Sequence, residues 1–320
     1  MSPTKVLLVH PQHELMTREV AEAVRSVDGV ILDMADDPVA ALAKASDSEV
    51  LISFFASDQL LAGAPKLRWI QALGSGVDGF IHHSSLRPDI LLTSGAGIHA
   101  QPVSEAILAM MLALARDLPQ AFRDQQACRW GREMPRLLGT SEVLIIGVGA
   151  IGAAVGAKCA AFGARVIGLS ERTDRPAGFS CIYSKAVLYE RLAEADFVVL
   201  TAPLSPATAG IINAAALERM KSSAYIVNAG RGGLIDDADL VAALETGRIA
   251  GAALDVFKTE PLPEDSPYWA LPNVLVTPHR AGYFLGYGEA IAKIAVTNLH
   301  HYRSGRFEKL VNRVRDHQML

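Results

Sequence analysis

The chain has 320 residues, half of them hydrophobic and a fifth charged, with a formal net charge of −4. That length exceeds one ordinary core and predicts two domains, and the composition excludes wholesale disorder. Mild acidity without a long Lys/Arg run argues against nucleic acid or an anionic membrane as partner.

The amino terminus runs at once into KVLLVH, an apolar stretch of strand length rather than the core of a secretion signal. Strands are predicted at 5–9, 30–33, 49–53, 67–71 and 90–93. Helical patterns fall between them, including 13–26 and 38–45. A helix follows at 101–118, with Pro102 to start it and Pro119 to close it. Its apolar run, AILAMMLALA, is too short to span a bilayer and predicts a buried helix. Cys128, Cys159 and Cys181 are far apart and form no CxxC or metal spacing, which fits a reduced, cytoplasmic compartment.

A second alternation begins at Glu142, with strands at 143–147, 165–169, 196–200, 224–228, 250–255 and 274–277. Helices are expected at 151–162, 187–193, 213–220 and 237–246, the last capped by Asp236 or Asp237 and ended by Gly247. After Pro278 the final helix, about 288–304, has no place in the second sheet and is expected to cross back to the first. This is an α/β pattern of two parallel-sheet domains, Rossmann-like or flavodoxin-like, comprising 1–98 with 288–320 and 99–287. Two crossings of the chain predict a ligand site in the cleft between domains.

VLIIGVGAIG places Gly147, Gly149 and Gly152 in G-x-G-x-x-G spacing directly after an apolar strand, with Ala150 and Ile151 opening a small-residue helix. Gly147 serves the tight turn, Gly149 the approach of a pyrophosphate, and Gly152 the close packing of helix on strand. The helix N-terminus offers free N–H groups and a favourable dipole to the phosphates. At the end of the next strand, where an acidic residue would hold the adenosine ribose, stand Ser170, Glu171, Arg172 and Thr173. The missing aspartate and the nearby Arg172 and Arg175 favour NADP, whereas the Glu171 carboxylate would suit NAD.

VNAGRG (227–232), DVFKTEP (255–261) and TPHRAG (277–282) lie at predicted strand ends of the second sheet. With GVGAIG, and in this order, they resemble the D-isomer-specific 2-hydroxyacid dehydrogenase family over nearly the whole chain, closest in style to its glyoxylate/hydroxypyruvate reductases. The resemblance makes 99–287 the NAD(P)-binding domain and 1–98 with 288–320 the substrate-binding domain. It implies Arg231 as the substrate-binding arginine, Glu260 as the carboxylate partner and His279 as the acid/base. The chemistry agrees. Reducing a 2-oxo acid needs a planar cation for the carboxylate and carbonyl, and a proton for the developing alkoxide. A carboxylate bonded to the imidazole keeps it protonated and oriented.

By the same resemblance Asp255 bonds the nicotinamide carboxamide, and Pro203 and Thr208 belong to the loop that passes under the cofactor. Thr201 departs from the histidine or asparagine common there. GSGVDGF (74–80) is similar to the loop whose Ser75 and Gly76 amides receive the substrate carboxylate, an anion nest in physical terms. Ala72 stands where phosphoglycerate dehydrogenases tend to carry a basic residue, which disfavours a phosphorylated substrate. Phe54, Phe55, Leu73, Trp130, Trp269, Tyr283 and Phe284 are candidates to line the side-chain pocket, with most expected in the core. The paired histidines His82–His83 and His300–His301 lack further ligands at useful spacing, and no metal is expected. A homodimer is implied by the family, with the 101–118 segment at its two-fold interface. Two alternatives stand beside the small 2-oxo acid reductase: an NAD-linked dehydrogenase of a bulkier D-2-hydroxy acid, and a non-enzymatic dinucleotide-sensing corepressor-like protein.

Overall fold

The computed structural model describes residues 2–9, 14–172 and 174–314. Contacts divide the chain into two compact units, Met1–Ile98 with Phe284–Leu320, and His99–Tyr283. The return to the first unit falls at Phe284, slightly before the expected 288, because the Phe284 ring already packs on Tyr287 with centroids 5.7 Å apart.

The first unit contains β1 (Thr4–Val9), α1 (Glu14–Arg25), β2 (Val30–Ala35), α2 (Pro38–Ala45), β3 (Val50–Ser53), α3 (Asp58–Ala62), β4 (Trp69–Ala72), α4 (Asp78–Ile81) and β5 (Leu91–Thr93). Its five strands are parallel and ordered β2-β1-β3-β4-β5, the flavodoxin-like order. Consecutive apolar residues such as Val6, Leu7, Leu8 and Val9 are all buried because helices cover both faces of the sheet. Asp37 starts α2 by accepting the N–H groups of Val39 and Ala40. Residue 13 of the predicted 13–26 helix lies outside the described residues.

The second unit contains α5 (Ala100–Ala115), α6 (Leu118–Gln126), β6 (Glu142–Ile146), α7 (Ala150–Ala161), β7 (Arg165–Leu169), β8 (Cys181–Tyr183), α8 (Leu188–Glu194) and β9 (Phe197–Leu200). It continues with α9 (Ala214–Leu217), β10 (Tyr225–Asn228), α10 (Asp237–Glu245), β11 (Gly251–Leu254) and β12 (Val274–Val276). Its seven parallel strands run β12-β11-β10-β9-β6-β7-β8. The strand order reverses between β6 and β9, and ligands of such sheets bind beyond the carboxyl ends of the strands at that point. Met111 of α5 and Cys159 of α7 meet in one buried cluster with Val143 and Val199. Burial pushes the Cys159 thiol up to about 12, so it behaves as a packing group rather than a nucleophile. The last helix, α11 (Tyr287–Arg303), belongs to the first unit, where Ile291, Ala295 and Leu299 share a core with Val20 and Val24 of α1.

Several local expectations are corrected. The helix expected at 101–118 ends at Ala115, and Pro119 lies in the first turn of α6 rather than closing α5. The break is Asp117, left-handed at φ 51°, and proline suits a helix start because its missing N–H would have no partner there. Strand β8, at the edge of the sheet, was not among the expected strands. The 213–220 helix shrinks to Ala214–Leu217. Asp236 caps α10 and Gly247 follows its end at φ 67°, as the residue types require. Among the described residues, no helix is long and apolar enough to cross a membrane, and no group of three or more His, Cys, Asp or Glu is placed to hold a metal.

Candidate active site

Because all seven strands of the second unit are parallel, the loops after β6, β7, β9, β10, β11 and β12 emerge at one edge of the sheet. Gly147 takes φ 98°, and any Cβ there would strike the Ala202 backbone. Gly152 sits so close to the Gly147 carbonyl that a side chain has no room, whereas Gly149 faces open space. Gly149 and Ala150 are exposed, Ile151 is half-buried behind them, and no side chain caps the amino end of α7. The loop is therefore shaped for an anion on free N–H groups, and it fits a dinucleotide pyrophosphate.

Thr201, at the end of β9, donates its hydroxyl to the Gly147 carbonyl (2.6 Å), across the point where the strand order reverses. The departure at this position thus braces the glycine turn. Thr208 turns inward on its own loop, donating to the Pro203 carbonyl (2.7 Å) while the Ser205 N–H donates to it (2.9 Å). Pro203 is exposed beside it.

After β7, the Ser170 hydroxyl accepts the Arg172 N–H (3.3 Å), and the Arg172 guanidinium reaches the glycine loop, donating to the Val148 carbonyl (2.6 Å). Asp174 grips the same guanidinium through two bonds of 2.8 and 2.6 Å. This pair is exposed to water, which screens it. Arg175 is spent on the Ser180 carbonyl (2.8 Å).

Arg231 follows β10 in a turn held by Asn228, a residue the sequence reading passed over. Asn228 is 1% exposed, accepts the Gly230 N–H (3.1 Å) and donates to the Arg231 carbonyl (3.0 Å). The guanidinium donates to the Gly230 carbonyl (2.8 Å). Gly232 packs directly on the Phe257–Lys258 backbone, so the arginine turn and the 255–260 loop touch without side chains between them.

Glu260 and His279 meet. The His279 Nδ1–Glu260 Oε2 distance is 2.7 Å, and the other carboxylate oxygen accepts the Phe257 N–H at 2.9 Å. The bond from Glu260 holds the proton on His279 above its ordinary range; burial opposes this, the nearby Asp255 charge assists it and Arg231 works against it. Burial alone would raise the Glu260 carboxyl, but the bonds from His279 and the Phe257 N–H, with the His279 and Arg231 charges, hold it below the usual carboxylate value.

Asp255 holds the segment that carries His279. It is 2% exposed and accepts the Thr277 hydroxyl (2.6 Å) and the N–H groups of Arg280 (3.0 Å) and Ala281 (3.0 Å), while its carbonyl accepts the His279 N–H (2.7 Å). His279 itself is left-handed, φ 47°, which costs a non-glycine residue roughly 1–2 kcal/mol. Bonds to a charged acceptor contribute about 1.5–3 kcal/mol each, so the Asp255 set outweighs that cost. Thr277 was also missed, because nothing in a lone threonine marks it until the aspartate partner is in view.

In the first unit, Ser75 and Gly76 are half-buried in the loop after β4. Of the apolar pocket candidates, Leu73 is fully buried in the core. Phe54 packs against that core with its ring 6.4 Å from Tyr287. The expectation that most lie in the core is corrected: Phe55, Trp130, Trp269, Tyr283 and Phe284 are exposed, and the Trp269 indole is tethered to the Pro263 carbonyl (2.9 Å). His83 pairs with Asp58 at 3.0 Å.

Residues 108–281 match the family described as D-isomer specific 2-hydroxyacid dehydrogenase, NAD binding domain. A glyoxylate/hydroxypyruvate reductase B of Serratia proteamaculans (strain 568) is 33% identical over 309 residues, covering 93% of this chain and 94% of that protein. A D-3-phosphoglycerate dehydrogenase of Mycobacterium bovis is 34% identical over 259 residues, covering 80% of this chain and 48% of that protein. The chain thus spans about half the length of the phosphoglycerate dehydrogenases it matches. Among solved structures, a D-isomer specific 2-hydroxyacid dehydrogenase family protein from Aeromonas salmonicida superposes with a TM-score of 0.86 at 32% identity, over 98% of this chain and 99% of that one. An NADPH-dependent glyoxylate/hydroxypyruvate reductase from Sinorhizobium meliloti, solved with NADP and sulfate, gives 0.84 at 28% identity over 98% of each chain.

Proposed function

Since the chain belongs to the D-isomer-specific 2-hydroxyacid dehydrogenase family, we propose that it is an oxidoreductase interconverting a small 2-oxo acid and a D-2-hydroxy acid with NAD(P)H, of the glyoxylate/hydroxypyruvate type. The observation that carries this reading is the His279–Glu260 pair at 2.7 Å, on the sheet edge that also bears Arg231 and the glycine loop. Gly147, Gly149, Ala150, Ile151 and Gly152 would hold the nicotinamide cofactor, which would supply the hydride when bound. Arg231 holds the substrate carboxylate and polarises the carbonyl. His279, with Nδ1 turned to Glu260, presents Nε2 and delivers its proton to the carbonyl oxygen as negative charge develops there. Asp255 positions the histidine loop, and a contact to the nicotinamide carboxamide is proposed in addition. Pro203 and Thr208 are proposed to flank the cofactor. The Ser75 and Gly76 amides are proposed to receive the substrate carboxylate.

NADP is the preferred cofactor in this proposal. Ser170 puts no carboxylate at the ribose position, and Arg172 reaches the glycine loop. The Sinorhizobium relative is named NADPH-dependent. Ala72 is fully buried in the first unit's core, so that position offers a phosphorylated substrate no cation. The non-enzymatic sensor reading is not favoured beside relatives named as reductases and dehydrogenases. A cytoplasmic homodimer completes the proposal. Three free thiols suit a reducing compartment, and Phe122, Trp130, Met134 and Leu137 expose apolar surface that a second copy would cover.

Absorbance at 340 nm, followed with NADPH and with NADH against a panel of 2-oxo acids, tests the reading. Turnover is expected with glyoxylate or hydroxypyruvate and a higher kcat/KM with NADPH; no turnover with any 2-oxo acid would overturn it. Sedimentation velocity on the same preparation is expected to show a species of twice 34.1 kDa.

The pH profile follows from the direction of the His279 shift. Its pKa in the folded protein lies above the ordinary 6.5, so the proton is retained through that value and lost only as pH rises through the raised one. Reduction, which consumes this proton, is expected to hold at neutral pH and fall on an alkaline limb, and oxidation of the hydroxy acid to show the opposite limb. Glu260→Gln keeps an oxygen for the Phe257 N–H but removes the charge, and should move the reduction limb to lower pH. An unmoved limb would exclude Glu260 as the group that sets it.

A further inference from the structure

Beyond α11 the backbone turns back against β5. The Val314 N–H donates to the Leu92 carbonyl (2.9 Å), the Ser94 N–H donates to the Asn312 carbonyl (3.0 Å), and Arg313 bridges Thr93 in antiparallel fashion. Asn312 is left-handed at φ 56°, a conformation asparagine tolerates better than most residues, and its amide nitrogen donates to both Ser94 O (3.3 Å) and Ala96 O (2.6 Å). Just before it, Val311 is clasped by Asn298 of α11, which is 0% exposed. Asn298 accepts the Val311 N–H (2.6 Å) and donates to the Val311 carbonyl (3.1 Å) and to Gln71 of β4 (2.9 Å).

This strap has a target. The Ser94–Ala96 turn lies on the base of the 74–80 loop, where the Gly95 N–H donates to the Gly74 carbonyl at 2.7 Å. A side chain on Gly95 would collide with the carbonyls of Leu73 and Gly74 and with Ile291, so the two backbones are in direct contact. The Tyr287 hydroxyl holds the Leu73 carbonyl from another side (2.9 Å). Ser75 and Gly76 follow Gly74 immediately. A nest of N–H groups binds an anion well only when the groups are already aimed, because ordering them on binding consumes part of the affinity.

We propose that Asn312 is a positioning residue for substrate binding: its amide clamps the Ser94–Ala96 turn, which holds Gly74, so that the Ser75 and Gly76 amides are pre-aimed at the carboxylate of the 2-oxo acid. The proposal rests on the reading of those two amides as the carboxylate receptor. Asn312 touches no reacting atom in this role.

Asn312→Gly tests it, because glycine keeps the left-handed turn and removes only the amide. The KM for the 2-oxo acid is expected to rise about tenfold, as loss of two hydrogen bonds allows. The kcat should stay within about twofold, with NADPH affinity by fluorescence titration unchanged. Amide hydrogen exchange should quicken in peptides covering 70–80 as well as 90–98, and Asn312→Asp, which turns a carboxylate toward two carbonyls, should do the same. Faster exchange confined to 90–98, or spread through the whole first unit, would overturn the proposal, as would an unchanged KM. If the wild-type protein turned over no 2-oxo acid, the reading of Ser75 and Gly76 would fall, whereas exchange at 70–80 would still report whether the strap braces the loop.

Discussion

His279→Ala is expected to lower 2-oxo acid reduction by about 10²–10⁴-fold while leaving NADPH binding intact, measured by steady-state assay and fluorescence titration on the same preparation. In the proposed reaction the imidazole gives its proton to the new hydroxyl, and Glu260, bonded to Nδ1, favours the protonated ring. The backbone around it does not depend on the ring. Asp255 grips the N–H groups of Arg280 and Ala281 and takes the His279 N–H on its carbonyl, and these bonds survive the substitution. Alanine inherits the left-handed backbone without relief, so His279→Asn serves as a second variant that tolerates φ 47° and still supplies no acid. Wild-type turnover in either variant would remove His279 from the mechanism. Loss of cofactor binding would assign it to the fold of the loop instead.

Arg231→Lys is expected to lower kcat/KM by roughly 10²–10³-fold, about 3–4 kcal/mol, despite the retained charge. A guanidinium meets a carboxylate through two parallel N–H bonds, and a lysine ammonium is a single point charge on a flexible stem. The structure makes the difference sharper. Asn228 fixes the Arg231 carbonyl, the guanidinium is anchored on the Gly230 carbonyl, and Gly232 is pressed against the 257–258 backbone. The planar group is thus oriented before substrate arrives, and lysine cannot use that orientation. Both KM and kcat should suffer, because in the proposed role the same group binds the ground state and polarises the carbonyl. A variant with near wild-type kcat/KM would show that Arg231 acts only as a surface charge.

Legibility in the sequence varied with the range of the interaction. The glycine loop could be read in full, since the demand for φ 98° at Gly147 and for no Cβ at Gly152 is written in neighbouring residue types. Strand ends and the Asp236 cap were equally local. Pro119 misled because a proline marks a boundary without saying on which side the helix lies. The aromatics Phe55, Trp130, Trp269, Tyr283 and Phe284 misled because a large apolar side chain has the same signature whether the fold covers it or leaves it exposed. Arg172 was legible as a cation near the ribose position, but its tether to Asp174 and Val148 was not.

What the sequence determined by itself is the α/β class and the family, read from the order of segments and motifs along the chain, and the glycine turn, read from a spacing of a few residues. It also named the residue types proposed to bear the chemistry. What only the tertiary structure decided is who touches whom across the sheet. Glu260 reaches His279 across 19 positions, Asp255 closes on a loop 22 and more residues away, and Asn312 clamps Ser94 across 218. These partnerships depend on which strands become neighbours and on where the final helix returns. A hydrogen bond needs its atoms within about 3 Å, and no local pattern of residues carries that information until the chain has folded.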